Sequence, residues 1–283
     1  MKALIFGATG NIGSRVAGRL IARGERPRLF VRDPKKAKAL FGDRVDIHVG
    51  DLERPRPSLA AALAGVEAVF LVTDGPDLDR RDRAVAVAAK SARVRHLVKL
   101  STLDVHNGVG TGPWHARGEL AIRETGLSFT FIQPAGFMSN ALGWSRSIRA
   151  RGVLGTSTGQ GRIAFIHPDD IADVAATALV TRDHAGRSLV ITGPKALSYG
   201  EMAATIGGAI GKEVRVEAIS DKQAYARVVR WAGEGPYADA LVDIWRAVRE
   251  GRLDTVSDGV QRVLGRGPIS FDRWAEENAD AFQ

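Results

Sequence analysis

The chain has 283 residues, enough for one large domain or for a nucleotide-binding domain carrying a smaller lobe, and it contains no cysteine, which excludes disulfides, thiolate metal sites and cysteine nucleophiles. Its net charge of +8 invites a nucleic-acid partner, but the arginines are scattered beside Asp and Glu, as in KSARVRHLV and DIWRAVREGRLD, and read better as solvated helix faces. No apolar run is long enough to span a bilayer and the first residues enter a strand directly, so a cytoplasmic protein without membrane or nucleic-acid partners is expected.

Residues 2–13, KALIFGATGNIG, carry a short apolar strand into glycines at GxxGxxG spacing and then into a helix, where Ile12, Val16 and Leu20 recur at helical intervals. This order describes a dinucleotide phosphate cradle. Gly7 takes the turn off the strand, Gly10 lets backbone approach a pyrophosphate, and Gly13 permits close helix packing. The helix N-terminus, with Ile12 in its first turn, offers N–H groups to the anion, and Thr9 and Asn11 can add side-chain hydrogen bonds. An ordinary strand-to-helix turn is the competing reading.

The second strand, near 28–32, ends at Arg32, about 20 positions past the glycines, where an acid would hold the ribose hydroxyls of NAD. A guanidinium there can instead pair with a 2′-phosphate, and Lys35, Lys36 and Lys38 add charge nearby, so NADP(H) is favoured over NAD(H). Asp33 either binds a ribose or caps the helix that begins at Pro34. Further strands are expected near 45–49, 67–73, 95–101, 128–133 and 188–192, alternating with helices near 34–41, 57–64, 78–92, 114–125 and 168–181. Ser58 and Gly65 punctuate one helix, and Pro168, Asp169 and Asp170 open another with carboxylates at its positive end. AVFLVT and HLVKLST are apolar almost throughout, as in a parallel sheet covered on both faces, and the fold class is an α/β doubly wound parallel Rossmann sheet.

From residue 134 the chain no longer returns promptly to the sheet. Residues 1–133 and 161–192 are therefore assigned to the Rossmann domain, and 134–160 and 193–283 to a smaller, discontinuous α/β lobe that binds substrate. The lobe is expected to hold one strand at Val214–Ile219 and several helices, and IAFIH at 163–167 reads as strand-like.

GATGNIGS at the first turn, FVRDPKKA after the second strand, GDL at 50–52, GPWHARGELAIRETGLSFTFIQPAGFMSN, IHPDDIADVAATAL, ITGPKALSYGEMA and FDRWAEENADAF occur together and in order. On these segments the chain resembles the NmrA-like branch of the atypical short-chain dehydrogenase/reductases over nearly its whole length. The resemblance implies a Rossmann domain, a small C-terminal substrate lobe and a bound NADP or NAD. It places Asp51 and Leu52 near the adenine and Thr73 near the ribose or phosphates. Pro134, Gly136, Phe137 and Met138 of PAGFMSN would lie near the nicotinamide, with Asn140 starting the substrate wall. Trp114, Phe137, Trp144 and either Trp231 or Tyr237 then offer an apolar pocket, although aromatics in helical patterns, Trp231, Trp245 and Trp274 among them, are more simply core.

Ordinary short-chain dehydrogenases pair a serine after the fifth strand with a tyrosine and a lysine four positions later. Ser101 fits the serine, but no tyrosine precedes Tyr199, and the corresponding segment reads HARGE from His115 to Glu119. One helical turn apart, Glu119 can orient the His115 imidazole or support its charged form, and His115 can give a proton or hydrogen bond to a substrate. A helix-start histidine paired with a surface glutamate is the alternative. Lys99 is a further candidate on the cofactor side, unless it simply reaches solvent. The remaining histidines show no ligand spacing, so no metal is expected. The expected activity is an NADPH-dependent oxidoreductase, monomer or homodimer, passing hydride to a small apolar acceptor such as a quinone, enone, imine or azo compound. The alternatives are a non-catalytic NADP(H)-binding redox sensor acting on a protein partner and a biosynthetic enzyme that uses its dinucleotide only transiently.

Overall fold

A computed structural model describes residues 1–54 and 58–283. In chain order the elements are β1 (Ala3–Phe6), α1 (Asn11–Ala22), β2 (Arg28–Val31), α2 (Pro34–Phe41), β3 (Asp46–Val49), α3 (Ser58–Leu63), β4 (Ala68–Leu71), α4 (Leu78–Ser91), β5 (His96–Leu100), α5 (Gly112–Arg123) and β6 (Phe129–Pro134). They continue with α6 (Ser145–Arg151), β7 (Val153–Thr156), β8 (Arg162–Ile163), α7 (Pro168–Thr181), β9 (Ser188–Ile191), β10 (Leu197–Ser198), α8 (Tyr199–Ile210), β11 (Arg215–Ala218), α9 (Asp221–Ala232), α10 (Pro236–Arg249), α11 (Gly259–Leu264) and α12 (Phe271–Glu277). The first position of the helix expected over 57–64 lies outside the described residues. Among the described residues no helix is long and apolar enough to cross a membrane.

Seven strands form one sheet in the order β3-β2-β1-β4-β5-β6-β9. β1 pairs in parallel with β2 on one side, Ile5 opposite Leu29, and with β4 on the other, Ile5 opposite Phe70. The order therefore reverses at β1, the switch point at whose carboxyl end doubly wound folds bind dinucleotides. β1, β4 and β5 are buried at every position, which is why their sequences lack polar alternation.

The chain divides into two compact units, residues 1–102, 114–133 and 168–189 in the first and 103–113, 134–167 and 190–283 in the second. In the first, Leu4, Phe6, Phe30, Leu63, Val69 and Phe131 share one apolar cluster. On its other helical layer α1 and α7 are tied by Arg15 Nε to Asp169 at 2.9 Å and Arg19 Nε to Asp173 at 2.6 Å. The second unit packs Met202, Ile206, Phe271, Trp274 and Phe282 into a cluster of its own. It holds two short sheets: β10 runs antiparallel to β8, and β11 runs parallel to β7. Only Arg162 and Ile163 of the stretch around IAFIH are strand, with a lone bridge from Ile166 to Phe137, so the apolar run there marks burial and not an extended ladder. Trp231, expected in the core, is instead 66% exposed, its ring edge-on to Tyr237 at 6.0 Å, whereas Trp274 is buried.

His96 on β5 shows how the first unit keeps an ionisable ring in its interior. Its Nδ1 lies 3.0 Å from Ser128 Oγ and its Nε2 3.0 Å from Thr130 Oγ1. Thr130 gives its only hydroxyl proton to the His184 carbonyl at 2.8 Å, so it can only accept from the ring. The proton of the neutral imidazole therefore sits on Nε2, and Ser128 donates to Nδ1. Burial first, and the Arg182 charge second, push the ring down to about 4 from an ordinary 6.5. Between those two values the unfolded chain takes a proton that the folded chain refuses, so stability falls as the pH drops from 6.5 to about 4, by about 3 kcal/mol for this ring. Urea unfolding at pH 7 and pH 4 should show a drop smaller by about that amount in His96→Gln; equal drops would mean that the ring is charged in the fold.

Candidate active site

Past Phe6, Gly7 turns the chain with φ +64°, a conformation that L side chains rarely adopt. Gly10 N–H donates to the Gly7 carbonyl at 2.9 Å and closes the turn. α1 follows with no side-chain cap among the described residues and no acid in its first turn, so the positive end of a helix opens beside a glycine loop. A Cβ at Gly13 would stand 2.3 Å from the Gly7 carbonyl oxygen, which is why the helix can approach the loop only without one. These residues fit a dinucleotide pyrophosphate. The Ile12 side chain is buried beneath, and Asn11 Oδ1 accepts from Arg15 Nη1 at 2.7 Å.

At the end of β2, Arg32 is exposed and has no ion-pair partner among the described residues, and the same is true of Lys35 and Lys36. Lys38 is engaged by Asp43. Asp33 is the N-cap of α2, its Oδ1 accepting from Lys35 N at 2.9 Å and Lys36 N at 3.1 Å, with Pro34 in the first turn. Its carboxylate is thus a cap, as one of the two sequence readings has it. Asp51 is exposed and accepts from the Glu53 N–H at 3.0 Å, and Leu52 packs half-buried against the apolar cluster of this unit.

Two buried polar groups stand at the carboxyl ends of β4 and β5. In one, Lys99 and Asp82 are both fully buried, Nζ to Oδ2 at 2.7 Å, and Thr73 Oγ1 accepts from Lys99 at 3.0 Å while donating to Asp82 Oδ1 at 2.6 Å. Lys99 and Thr73, expected to face the cofactor, spend their polar atoms on this pair. Gly118 of α5 makes room for it, because a Cβ there would fall 2.2 Å from Asp82 Oδ2.

In the other group, Glu119 Oε1 accepts from Ser101 Oγ at 2.6 Å and from Gln133 Nε2 at 2.8 Å. Glu119 is buried and turns to these two donors, so the helical spacing to His115 does not become a pair. His115 is itself buried, and its Nδ1 has no hydrogen-bond partner among the described residues. Burial, and after it the Lys99 ammonium, lower its pKa to about 3. At neutral pH this ring is uncharged, so Glu119 is not supporting a charged form of it. Sequence reasoning missed Asp82 and Gln133. Asp82 was findable as a carboxylate on the apolar face of α4, in line with Leu78, Val85, Ala86 and Ala89.

Trp114 is buried in the first unit. The PAGFMSN residues belong to the second. There Ile166 N–H donates to Gly136 O and Met138 N–H to Ile166 O, each at 2.9 Å, and a Cβ at Gly136 would meet the Phe165 ring at 2.5 Å. Met138 is buried on a cavity of about 170 Å³ lined also by Phe165, Met202 and Phe271, smaller than the pockets that enclose most small-molecule ligands. Pro134 ends β6, Phe137 bridges to Ile166, and Asn140 is exposed. Trp144 packs on Tyr199 at 5.1 Å between ring centroids, at the edge of this unit's core.

The profile of the NAD(P)H-binding family matches residues 7–182. The NAD(P)H azoreductase of Xenophilus azovorans is 36% identical over 99% of this chain and 98% of its own. A (4-alkanoyl-5-oxo-2,5-dihydrofuran-3-yl)methyl phosphate reductase of Streptomyces griseus is also 36% identical, over 99% and 98%. Among solved structures, an NADPH-dependent quinone oxidoreductase from Escherichia coli complexed with NADPH superimposes with a TM-score of 0.87 at 25% identity, covering 98% of this chain and 99% of the other.

Proposed function

Because the chain belongs to the NAD(P)H-binding family, in the NmrA-like branch of the atypical short-chain dehydrogenase/reductases, and is an NAD(P)H-dependent oxidoreductase, we propose that it passes hydride from NADPH to a small apolar acceptor, a quinone, enone, imine or azo compound. The observation that carries the reading is the uncapped start of α1 behind Gly7, Gly10 and Gly13, a seat for a pyrophosphate. The named activities of two relatives, an azoreductase and a quinone oxidoreductase, support the acceptor class.

The nicotinamide supplies the hydride, and the protein supplies orientation and charge stabilisation. Gly7 to Gly13, with Thr9 and Asn11, would hold the pyrophosphate, Asp51 and Leu52 the adenosine, and Pro134, Gly136 and Phe137 the nicotinamide nucleotide. Trp114, Met138, Asn140 and Trp144 are assigned to the acceptor. His115 acts as a neutral hydrogen-bond donor to the acceptor oxygen or nitrogen as negative charge builds there, and the completing proton comes from solvent. Lys99 and Thr73 support the site through Asp82.

Two measurements test the reading. NADPH oxidation should proceed with at least one member of a panel of quinones, enones, imines and azo dyes. His115→Phe, which removes the N–H donor, should slow that turnover roughly a hundredfold with NADPH affinity nearly unchanged, and the wild-type rate should show no inflection near pH 6.5 that His115→Phe removes. Tight NADPH binding with no turnover across the panel would overturn the acceptor assignment and favour a redox sensor.

Cofactor preference rests on Arg32. Arg32→Ala is expected to weaken NADPH by roughly ten- to a hundredfold, the worth of a charged hydrogen bond, and NADH by far less. Equal weakening of both in calorimetric titrations would leave the preference for NADPH without its main support.

A further inference from the structure

Ser101 has one hydroxyl proton, and the structure shows where it goes. The residue is anchored at the end of β5, its N–H donating to the Ile132 carbonyl at 2.7 Å, and its Oγ donates to Glu119 Oε1 at 2.6 Å. The same Oε1 takes a second proton donor, Gln133 Nε2, at 2.8 Å. A carboxylate oxygen fed by two donors has no proton to return, so Ser101 offers a ligand only its lone pairs. The serine can recognise an N–H or O–H and cannot donate to a quinone oxygen or an azo nitrogen. In a doubly wound sheet each half takes one nucleotide. The glycine loop and Arg32 belong to the half built on β1, β2 and β3, which leaves the nicotinamide nucleotide to β4, β5 and β6, at whose carboxyl ends Ser101 and Gln133 lie. The nicotinamide base has a single hydrogen-bond donor group, its carboxamide N–H2.

We infer that Ser101 Oγ accepts a hydrogen bond from the nicotinamide carboxamide, and that Glu119, held by Gln133, is the positioning residue that makes this serine an acceptor. The roles expected of one catalytic cluster are thereby divided. His115 addresses the hydride acceptor, while Ser101 and Glu119 read the cofactor's own base. The inference rests on the cofactor reading above and is independent of which acceptor is reduced.

The test compares two ligands by calorimetry with no acceptor present: NADPH and its reduced 3-acetylpyridine analogue, in which a methyl group replaces the carboxamide nitrogen and the carbonyl stays. The ratio of the two affinities is the readout, because a merely structural change would weaken both alike. The wild-type protein should favour NADPH by roughly three- to tenfold more than Ser101→Ala does, the worth of one neutral hydrogen bond. Ser101→Thr, which keeps the hydroxyl, should retain the wild-type ratio. Glu119→Met should lower the ratio with Ser101 intact, since the hydroxyl is then free to donate. Identical ratios in the wild type and in folded Ser101→Ala would overturn the inference. A ratio moved by Ser101→Ala and untouched by Glu119→Met would overturn the role given to Glu119. Failure of the wild-type protein to bind NADPH at all would overturn the cofactor reading beneath it.

Discussion

Gly10→Val is expected to remove dinucleotide binding while the chain stays folded. Gly10 is extended, with φ −96° and ψ −178°, a conformation that suits a β-branched residue. Its added Cβ would lie 3.3 Å from the Gly7 carbonyl oxygen, a contact that a few tenths of an ångström relieve. The methyl groups beyond it would fill the space over the first turn of α1, where a pyrophosphate must come to backbone distance. Calorimetric titration with NADPH should show at least about a hundredfold loss, about 3 kcal/mol, with little change in the thermal midpoint. Gly13→Ala is the opposite case, since its Cβ would stand 2.3 Å from backbone that cannot move without opening the turn, and it should lower the midpoint itself. Undiminished NADPH affinity in folded Gly10→Val would dispose of the cradle.

The second large effect concerns stability. Asp82→Ala leaves the Lys99 ammonium with no counter-charge and no route to water, and breaking a buried pair from one side typically destabilises by about 3 to 5 kcal/mol. Removing both charges with residues of similar volume, Asp82→Leu with Lys99→Met, should restore most of that, because two desolvation penalties vanish with the attraction. Urea unfolding of the two variants and the wild type decides it. A single variant within 1 kcal/mol of wild type, on the order of an exposed pair, would show that water reaches the ammonium.

The sheet is largely legible in the sequence, because its strands are buried on both faces and punctuated by caps that act locally, such as Asp33 before Pro34. The glycine loop was legible for the same reason: the demand for a missing Cβ lies within a few residues. Side-chain partnerships were not. Four-residue spacing brings His115 and Glu119 onto one helix face, but the donors of Ser101 and Gln133 come from two strands, and a buried carboxylate goes to the donors that need it most. The face shared by Leu78, Asp82 and Val85 gave the clue to the buried pair only with Lys99 placed opposite, which requires the sheet register. Trp231 has the helical pattern of a core residue, yet its exposure depends on what else packs against α9, which no local pattern records.

The two residues after β2 divide two tasks between them. Because the Asp33 carboxylate already satisfies the first N–H groups of α2, that helix start cannot cradle a phosphate as α1 can, and its negative charge faces whatever binds beside it. On the proposed preference for NADPH, recognition of the ribose phosphate would rest on detachable side chains, and an engineer altering coenzyme choice would exchange Arg32 while leaving its neighbour alone. Changing Asp33 for the same purpose would unravel the first turn of α2, at a loss of about 1 kcal/mol for the missing cap, and would mix a folding defect into every affinity measured.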